Sequence, residues 1–250
     1  MRWTIFLTFM LCLSGFVSAE TASDIPTPVM KISLFTQSRG VVYSNMTRLA
    51  DKVYLGSAHF MRNLDMHSAP RIFSQLELRP GQTRLYYFSL HGRILDAVVL
   101  ASTRYTNGEI QAILSRSVMA LNQSDIDNQV VQIPYETDNK LQLASGSVLR
   151  ADNLEHIYLQ LFQPEMGDGS SGAPLFLTNT SSPPGALVGI VRCQLGTVSF
   201  LAVSMRSVVQ AQLIPVTPQF DHDFKRYQPE DIYFRGRRCL PVDSKKGGGG

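Results

Sequence analysis

The chain predicts an all-β protein of two packed antiparallel β-barrels with a short C-terminal helix. Short runs rich in β-branched and aromatic residues recur along its length, each broken off by turn signals. These runs fall into two successive sets joined by a polar stretch over residues 122–128. A regular alternation of strand and helix patterns, which a parallel α/β sheet requires, is not seen.

The first set comprises residues 31–35, 41–43, 53–55, 72–78, 84–90 and 94–101. Between two of these, Arg79-Pro80-Gly81-Gln82 is a turn signal, because Pro presets φ and Gly accepts a positive one. Residues 109–121 fit two templates: Ile110, Ile113, Leu114, Val118 and Leu121 suit a helix or a kinked strand. The second set comprises residues 130–133, 141–143, 147–150, 157–162, 173–177, 186–194 and 198–203. Residues 205–214 read as a short amphipathic helix, and the chain beyond Pro215 as a Pro-rich, charged tail. The domain expectation is a leader over 1–19, a first barrel over 20–122, a second over 123–214 and a tail over 215–250.

The leader has the form of a secretory signal peptide. It starts with Arg2, runs apolar from Thr4 to Val17 and ends Val17-Ser18-Ala19, small at the last and third-last positions. Its apolar core is shorter than the roughly 20 residues of a spanning helix. Cleavage after Ala19 leaves about 230 residues and removes only Arg2 among the charges, so 22 basic residues face 20 acidic ones. A nearly neutral surface gives no reason to expect nucleic acid or an acidic membrane as partner. The expectation is an exported protein, secreted or periplasmic, with no membrane anchor after cleavage.

Cys193 and Cys239 remain in the processed chain, and either one disulfide or two thiols is compatible with the sequence. The disulfide is favoured because it would tie down the tail, by roughly 4 kcal/mol in the chain-entropy account. There is no Cys-x-x-Cys and no His/Cys cluster at ligand spacing, so neither metal nor organic cofactor is expected. Asn45-Met46-Thr47, Asn122-Gln123-Ser124 and Asn179-Thr180-Ser181 fit the glycosylation sequon.

The stretch with most chemical content is Gly167-Asp168-Gly169-Ser170-Ser171-Gly172-Ala173-Pro174. Glycine is entropically expensive to order, so three of them before a strand suggest a bend that presents something. Ser171 lies between small residues, with the Gly169 and Ser171 amides as candidate oxyanion donors, each worth roughly 3 kcal/mol in acyl transfer. A serine hydroxyl needs a base, and the base an orienting acid. Of the five histidines, His59 follows Gly56-Ser57-Ala58 at the end of a strand-like run. Asp96 stands before the apolar run Ala97-Val98-Val99-Leu100, where burial would be costly without partners.

These three segments together resemble the chymotrypsin-like serine proteases. Gly56-Ser57-Ala58-His59, Asp96-Ala97-Val98-Val99-Leu100 and Gly169-Ser170-Ser171-Gly172-Ala173-Pro174 match that family's three motifs in the family's order, and Val188-Gly189-Ile190-Val191 resembles its cleft-lining strand. The resemblance covers roughly residues 31–214. It implies two six-stranded barrels and a secreted serine endopeptidase acting on protein or peptide, with Ser171 as nucleophile, His59 as base and Asp96 orienting it. Ser170 replaces the family's Asp before the nucleophile and Phe60 its Cys after the histidine. The first departure removes the carboxylate partner of a freshly cut N-terminus and points toward the bacterial secreted members; the second removes the family's corresponding disulfide. The resemblance also places Glu165 at the base of the primary pocket and Arg192 on its wall, and pairing between the two is expected, since an unpaired buried charge is expensive. The runner-up is a protease-like binding protein that recognises a peptide or partner without cleaving it. An α/β-hydrolase esterase fits poorly, because no Gly-x-Ser-x-Gly elbow occurs.

Overall fold

Two large antiparallel sheets dominate the described residues, and side-chain alternation between the two faces of their central strands explains how they pack. The computed structural model describes residues 29–36, 40–61, 69–118, 126–137, 140–152, 156–163, 166, 169–178, 186–216, 233–234, 237–238 and 240–241.

The first sheet contains β1 (Val29–Thr36), β2 (Gly40–Ala50), β3 (Val53–Gly56), β4 (Thr83–Leu90), β5 (Arg93–Ser102) and β12 (Gln212–Pro215), in the order β1-β2-β3-β5-β4-β12. In β5, Leu95, Ala97, Val99 and Ala101 enter one apolar cluster while Val98 and Leu100 enter another. In β3, Val53 and Leu55 take the first of these clusters and Tyr54 the second. Period-2 geometry sends successive side chains to opposite faces, so these strands are covered on both. One cover consists of α1 (Ala58–Met61) and α2 (Ala69–Gln75), through Phe60, Met61 and Ile72. The other consists of α3 (Asn107–Ser117) and α4 (Met205–Gln210), together with Leu187, Ile190 and Val203 of the second sheet.

The second sheet runs β11 (Ser199–Ser204), β8 (His156–Leu161), β7 (Lys140–Asp152), β6 (Val130–Thr137), β9 (Pro174–Leu177), β10 (Leu187–Gln194), and an added β10–β11 pairing closes it into a barrel. Val131, Ile133, Tyr135, Val148, Ile157, Leu159, Leu161, Leu175 and Phe200 fill it. Outside the ring, β15 (Leu240–Pro241) adds to β10, and β13 (Tyr233–Phe234) pairs with β14 (Arg237–Arg238). This is the double-barrel architecture expected, with the short helix α4 following the last strand of the ring.

The structure corrects several local expectations. Residues 72–78 do not form a strand: α2 covers Ala69–Gln75, and Leu78 follows it. Ile72, Ser74, Leu76 and Leu78 alternate as a strand would, yet Ile72 and Leu76 also share a helix face, and that face packs beside Tyr87 and Leu100. His59 is not at a strand end but on α1, after β3 has finished at Gly56. The two runs 141–143 and 147–150 are one strand, β7. The helix expected over 205–214 stops at Gln210; Ala211 is extended, and β12 returns to pair with β4 of the first sheet. Pro215 is tolerated there because β12 is an edge strand.

The ambiguous stretch after residue 109 forms α3, with Ile110, Ile113 and Leu114 buried. Its start is fixed by a capping box: the Glu109 amide donates to Thr106 Oγ1 at 3.3 Å, and the Thr106 amide to Glu109 Oε2 at 2.8 Å. The backbone and side-chain hydrogen bonds from Thr106 hold the Glu109 carboxyl below its ordinary pKa. A depressed carboxylate stabilises the fold above its unfolded pKa and loses that contribution as pH falls through the folded value. Thr106→Ala is therefore expected to lower unfolding stability at neutral pH, with a smaller difference from wild type in acid, measured by urea titration at both pH values.

Candidate active site

The bend before β9 takes its shape from two glycines in the left-handed region, Gly169 at φ +92° and Gly172 at φ +80°. A Cβ on Gly172 would lie 2.1 Å from the Asn45 carbonyl oxygen, so close approach and backbone sign both demand glycine there. Strands on either side grip the bend. From β2, the Asn45 amide donates to the Ser171 carbonyl at 2.7 Å, Ser44 Oγ donates to the same oxygen at 2.9 Å, and Asn45 Nδ2 donates to the Gly169 carbonyl at 2.6 Å. From β10, the Val191 carbonyl accepts from the Gly172 amide at 2.8 Å, and the Val191 amide donates to the Ala173 carbonyl at 2.8 Å. Asn45 Oδ1 in turn accepts from the Glu136 amide of β6 at 2.8 Å. One fully buried amide side chain thus ties the bend to the strand beside it.

The grip brings Ser171 to His59. His59 Nε2 lies 3.1 Å from Ser171 Oγ, and His59 Nδ1 lies 2.8 Å from Asp96 Oδ2. The His59 amide donates to the other carboxylate oxygen, Asp96 Oδ1, at 2.7 Å. A carboxylate accepts only, so Nδ1 carries the proton in the neutral ring and Nε2 presents its lone pair to the serine. Asp96 is 5% exposed and Ser171 is fully buried. The three residues singled out in the sequence therefore meet, His59 from α1, Asp96 from β5 and Ser171 from the bend.

Arg192 reaches Asp96 and His156, two contacts that were not anticipated. Its Nε donates to Asp96 Oδ2 at 3.0 Å and its guanidinium to His156 Nε2 at 3.2 Å, so its charge is matched at the carboxylate behind His59. The anticipated partner, Glu165, lies outside the described residues, as do Gly167 and Asp168. The Arg192 carbonyl also accepts from Ser171 Oγ at 3.3 Å. Among the described residues, neither the Gly169 nor the Ser171 amide has a hydrogen-bond partner, and the buried Ser170 Oγ has none either.

Sequence reasoning missed Ser44, Asn45 and His156. A polar pair inside a strand was the available signal for the first two, but the strand was read as ending at Tyr43. His156 carried no local signal. Asn45 also corrects the sequon reading: it is fully buried and bonded through both side-chain atoms, so the folded protein offers no glycan acceptor there. Asn122 and Asn179 lie outside the described residues. Cys193 is buried beside Leu195 and Leu201, whereas Cys239 is outside the described residues.

No family model and no curated protein sequence matches the chain. Solved structures do. Tobacco etch virus protease complexed with product is similar at 9% identity, covering 86% of this chain and 88% of that one, with a TM-score of 0.50. An inactivated protease paralogue of the scabies mite is similar at 12% identity over 83% of this chain and 97% of that one, TM-score 0.49. The active form of an M. tuberculosis protease is similar at 12% identity over 76% and 82%, TM-score 0.47. The fold is that of the chymotrypsin-like proteases; identities this low speak to the fold alone.

Removing the grip on the bend should be costly. Asn45→Ala leaves the Gly169 carbonyl and the Glu136 amide buried without their partner, and a loss of about 2–4 kcal/mol is expected in denaturant unfolding. Gly172→Ala, facing both a positive φ and a backbone clash, is expected to lose more than Asn45→Ala in the same measurement.

Proposed function

We propose that this chain is an exported serine endopeptidase that cleaves protein or peptide substrates through an acyl-enzyme. The observation that carries the reading is the continuous line of contacts Asp96 Oδ2, His59 Nδ1, His59 Nε2, Ser171 Oγ, at 2.8 and 3.1 Å. In this reading Ser171 Oγ attacks the scissile carbonyl carbon and His59 Nε2 takes its proton. Asp96 keeps the ring in the Nδ1–H tautomer and stabilises the imidazolium. The negative charge developing on the carbonyl oxygen is received by the Gly169 and Ser171 amides. His59 then returns the proton to the leaving amine, and water, deprotonated at the same nitrogen, releases the acid and restores Ser171.

The likeness to a protease complexed with product supports a peptide as ligand. Full burial of Ser171 favours a second reading, a scaffold that holds a peptide without cutting it. A fluorophosphonate probe with mass mapping separates the two. The expected result is a covalent adduct on Ser171, absent in Ser171→Ala, whose peptide hydrolysis falls by more than about 10⁴-fold. A folded wild-type protein that neither labels nor hydrolyses casein would sink the peptidase reading.

Export and a Cys193–Cys239 disulfide belong to the same proposal. Support comes from the leader and from the register of β15, where Pro241 stands opposite Cys193 and Leu240 opposite Gln194. Intact mass of the exported protein tests both: a chain beginning at Glu20 and lighter by two hydrogens than the dithiol, which regains them on reduction, is expected, and a chain that keeps Met1, or whose mass reductant leaves unchanged, would contradict them.

A further inference from the structure

Strand β10 is buried from Leu187 to Cys193, and in that run Arg192 is the single charged residue. Burying a guanidinium costs several kcal/mol unless its partners are well placed, so a strand that needed only to pack would carry an aliphatic side chain here. The backbone is adjusted for it as well. Opposite β11, Val191 faces Ala202 and Cys193 faces Leu201, which leaves Arg192 as the extra residue of a bulge. Bulges bend a strand locally and re-aim one side chain. Here the guanidinium reaches the carboxylate oxygen that His59 uses.

We propose that Arg192, anchored by His156, is a positioning residue that sets the basicity of His59 through Asp96. Its Nε and the His59 ring share one oxygen, Asp96 Oδ2, at 3.0 and 2.8 Å. A cation on that oxygen stabilises the carboxylate but opposes a second positive charge on the imidazole beside it. The His59 imidazolium is accordingly held less firmly than an unshared Asp96 would hold it, and more of the ring stays neutral, the form that accepts the Ser171 proton. His156 fixes the guanidinium. Arginine has donors only, so His156 Nε2 must accept and the ring must be neutral, with its proton on Nδ1. Among the described residues, the charged and titratable groups in contact with this unit include Asp96 on β5, His59 on α1 and His156 on β8; in the strand register His156 stands opposite Asp152 of β7 and Val203 of β11. The Arg192 carbonyl reaches Ser171 Oγ as well, so one residue touches both ends of the line of contacts.

The proposal rests on the peptidase reading for its purpose but not for its test, which is titration of the His59 ring by NMR in folded protein. Arg192→Gln keeps a donor for Asp96 and removes the charge; the His59 midpoint is expected to rise by about one pH unit or more. The acid limb of kcat/KM should move upward with it. Arg192→Lys keeps the charge, and its midpoint is expected to stay at the wild-type value. A Gln variant with an unmoved midpoint and only a lowered plateau overturns the proposal, since a packing role alone would do that. If the Gln variant does not fold, the Lys variant decides, and a one-unit rise there overturns the proposal because the charge was kept. A shifted titration in a protein that hydrolyses nothing supports the Arg192 assignment while removing the peptidase reading. Hydrolysis with an unshifted titration does the reverse.

Discussion

The Asp96 carboxylate is the group on which the rest of the arrangement depends. At 5% exposure it has lost most of its hydration, a cost of several kcal/mol that no apolar neighbour can offset. Donors that replace the water include the His59 amide, the His59 ring and Arg192 Nε. Two of these come from α1, directly after β3, and the third crosses from β10. Satisfying one buried charge therefore fixes the register of α1 against β5 and of β10 against both. Displacing any of the three would weaken the compensation of a buried anion, a stronger penalty than the loss of a single hydrogen bond at the surface.

A second tie works through neutral groups. Asn45 holds the Gly169 carbonyl with its amide nitrogen, the Glu136 amide with its oxygen and the Ser171 carbonyl with its backbone N–H. The bend has no regular structure of its own, so its carbonyls depend on partners from neighbouring strands. By satisfying them from β2, the fold places the serine relative to the sheet that carries Asp96 and, through α1 directly after β3, His59. Residues 112 and 75 positions apart in the chain, His59 to Ser171 and Ser171 to Asp96, meet because two unrelated sets of hydrogen bonds agree on one position.

What the sequence made legible was local. The glycine-rich bend, the small residues before His59 and an aspartate at the head of an apolar run each announce an unusual backbone or burial demand at that spot. Short β-branched and aromatic runs in two successive sets made the double barrel legible, and they are so apolar because β3, β4 and β5 are covered on both faces. Where one stretch satisfied two periods, as residues 72–78 did, only packing decided, and it chose the helix. β12 was missed because its four residues follow a helical pattern without a break until Ala211 turns extended. The contact of Arg192 with Asp96 was missed for another reason. Sequence shows that a buried cation needs an anion, but several carboxylates could serve, and the bulge that aims the side chain at Asp96 appears only in the β10–β11 register.

The serine hydroxyl has a choice of acceptor that bears on how such a site stays quiet. Ser171 Oγ lies 3.1 Å from His59 Nε2 and 3.3 Å from the Arg192 carbonyl. One proton cannot serve both, and only the bond to His59 leads toward an alkoxide. Any influence that makes the imidazole more acidic weakens it as acceptor and turns the hydroxyl toward the carbonyl; a more basic ring draws the hydroxyl back but is protonated sooner as pH falls. The position of Arg192 on Asp96 thus balances two demands on His59, availability and strength as a base. Because its backbone supplies the competing acceptor and its side chain the competing cation, both sides of that balance are set by one residue on one bulged strand.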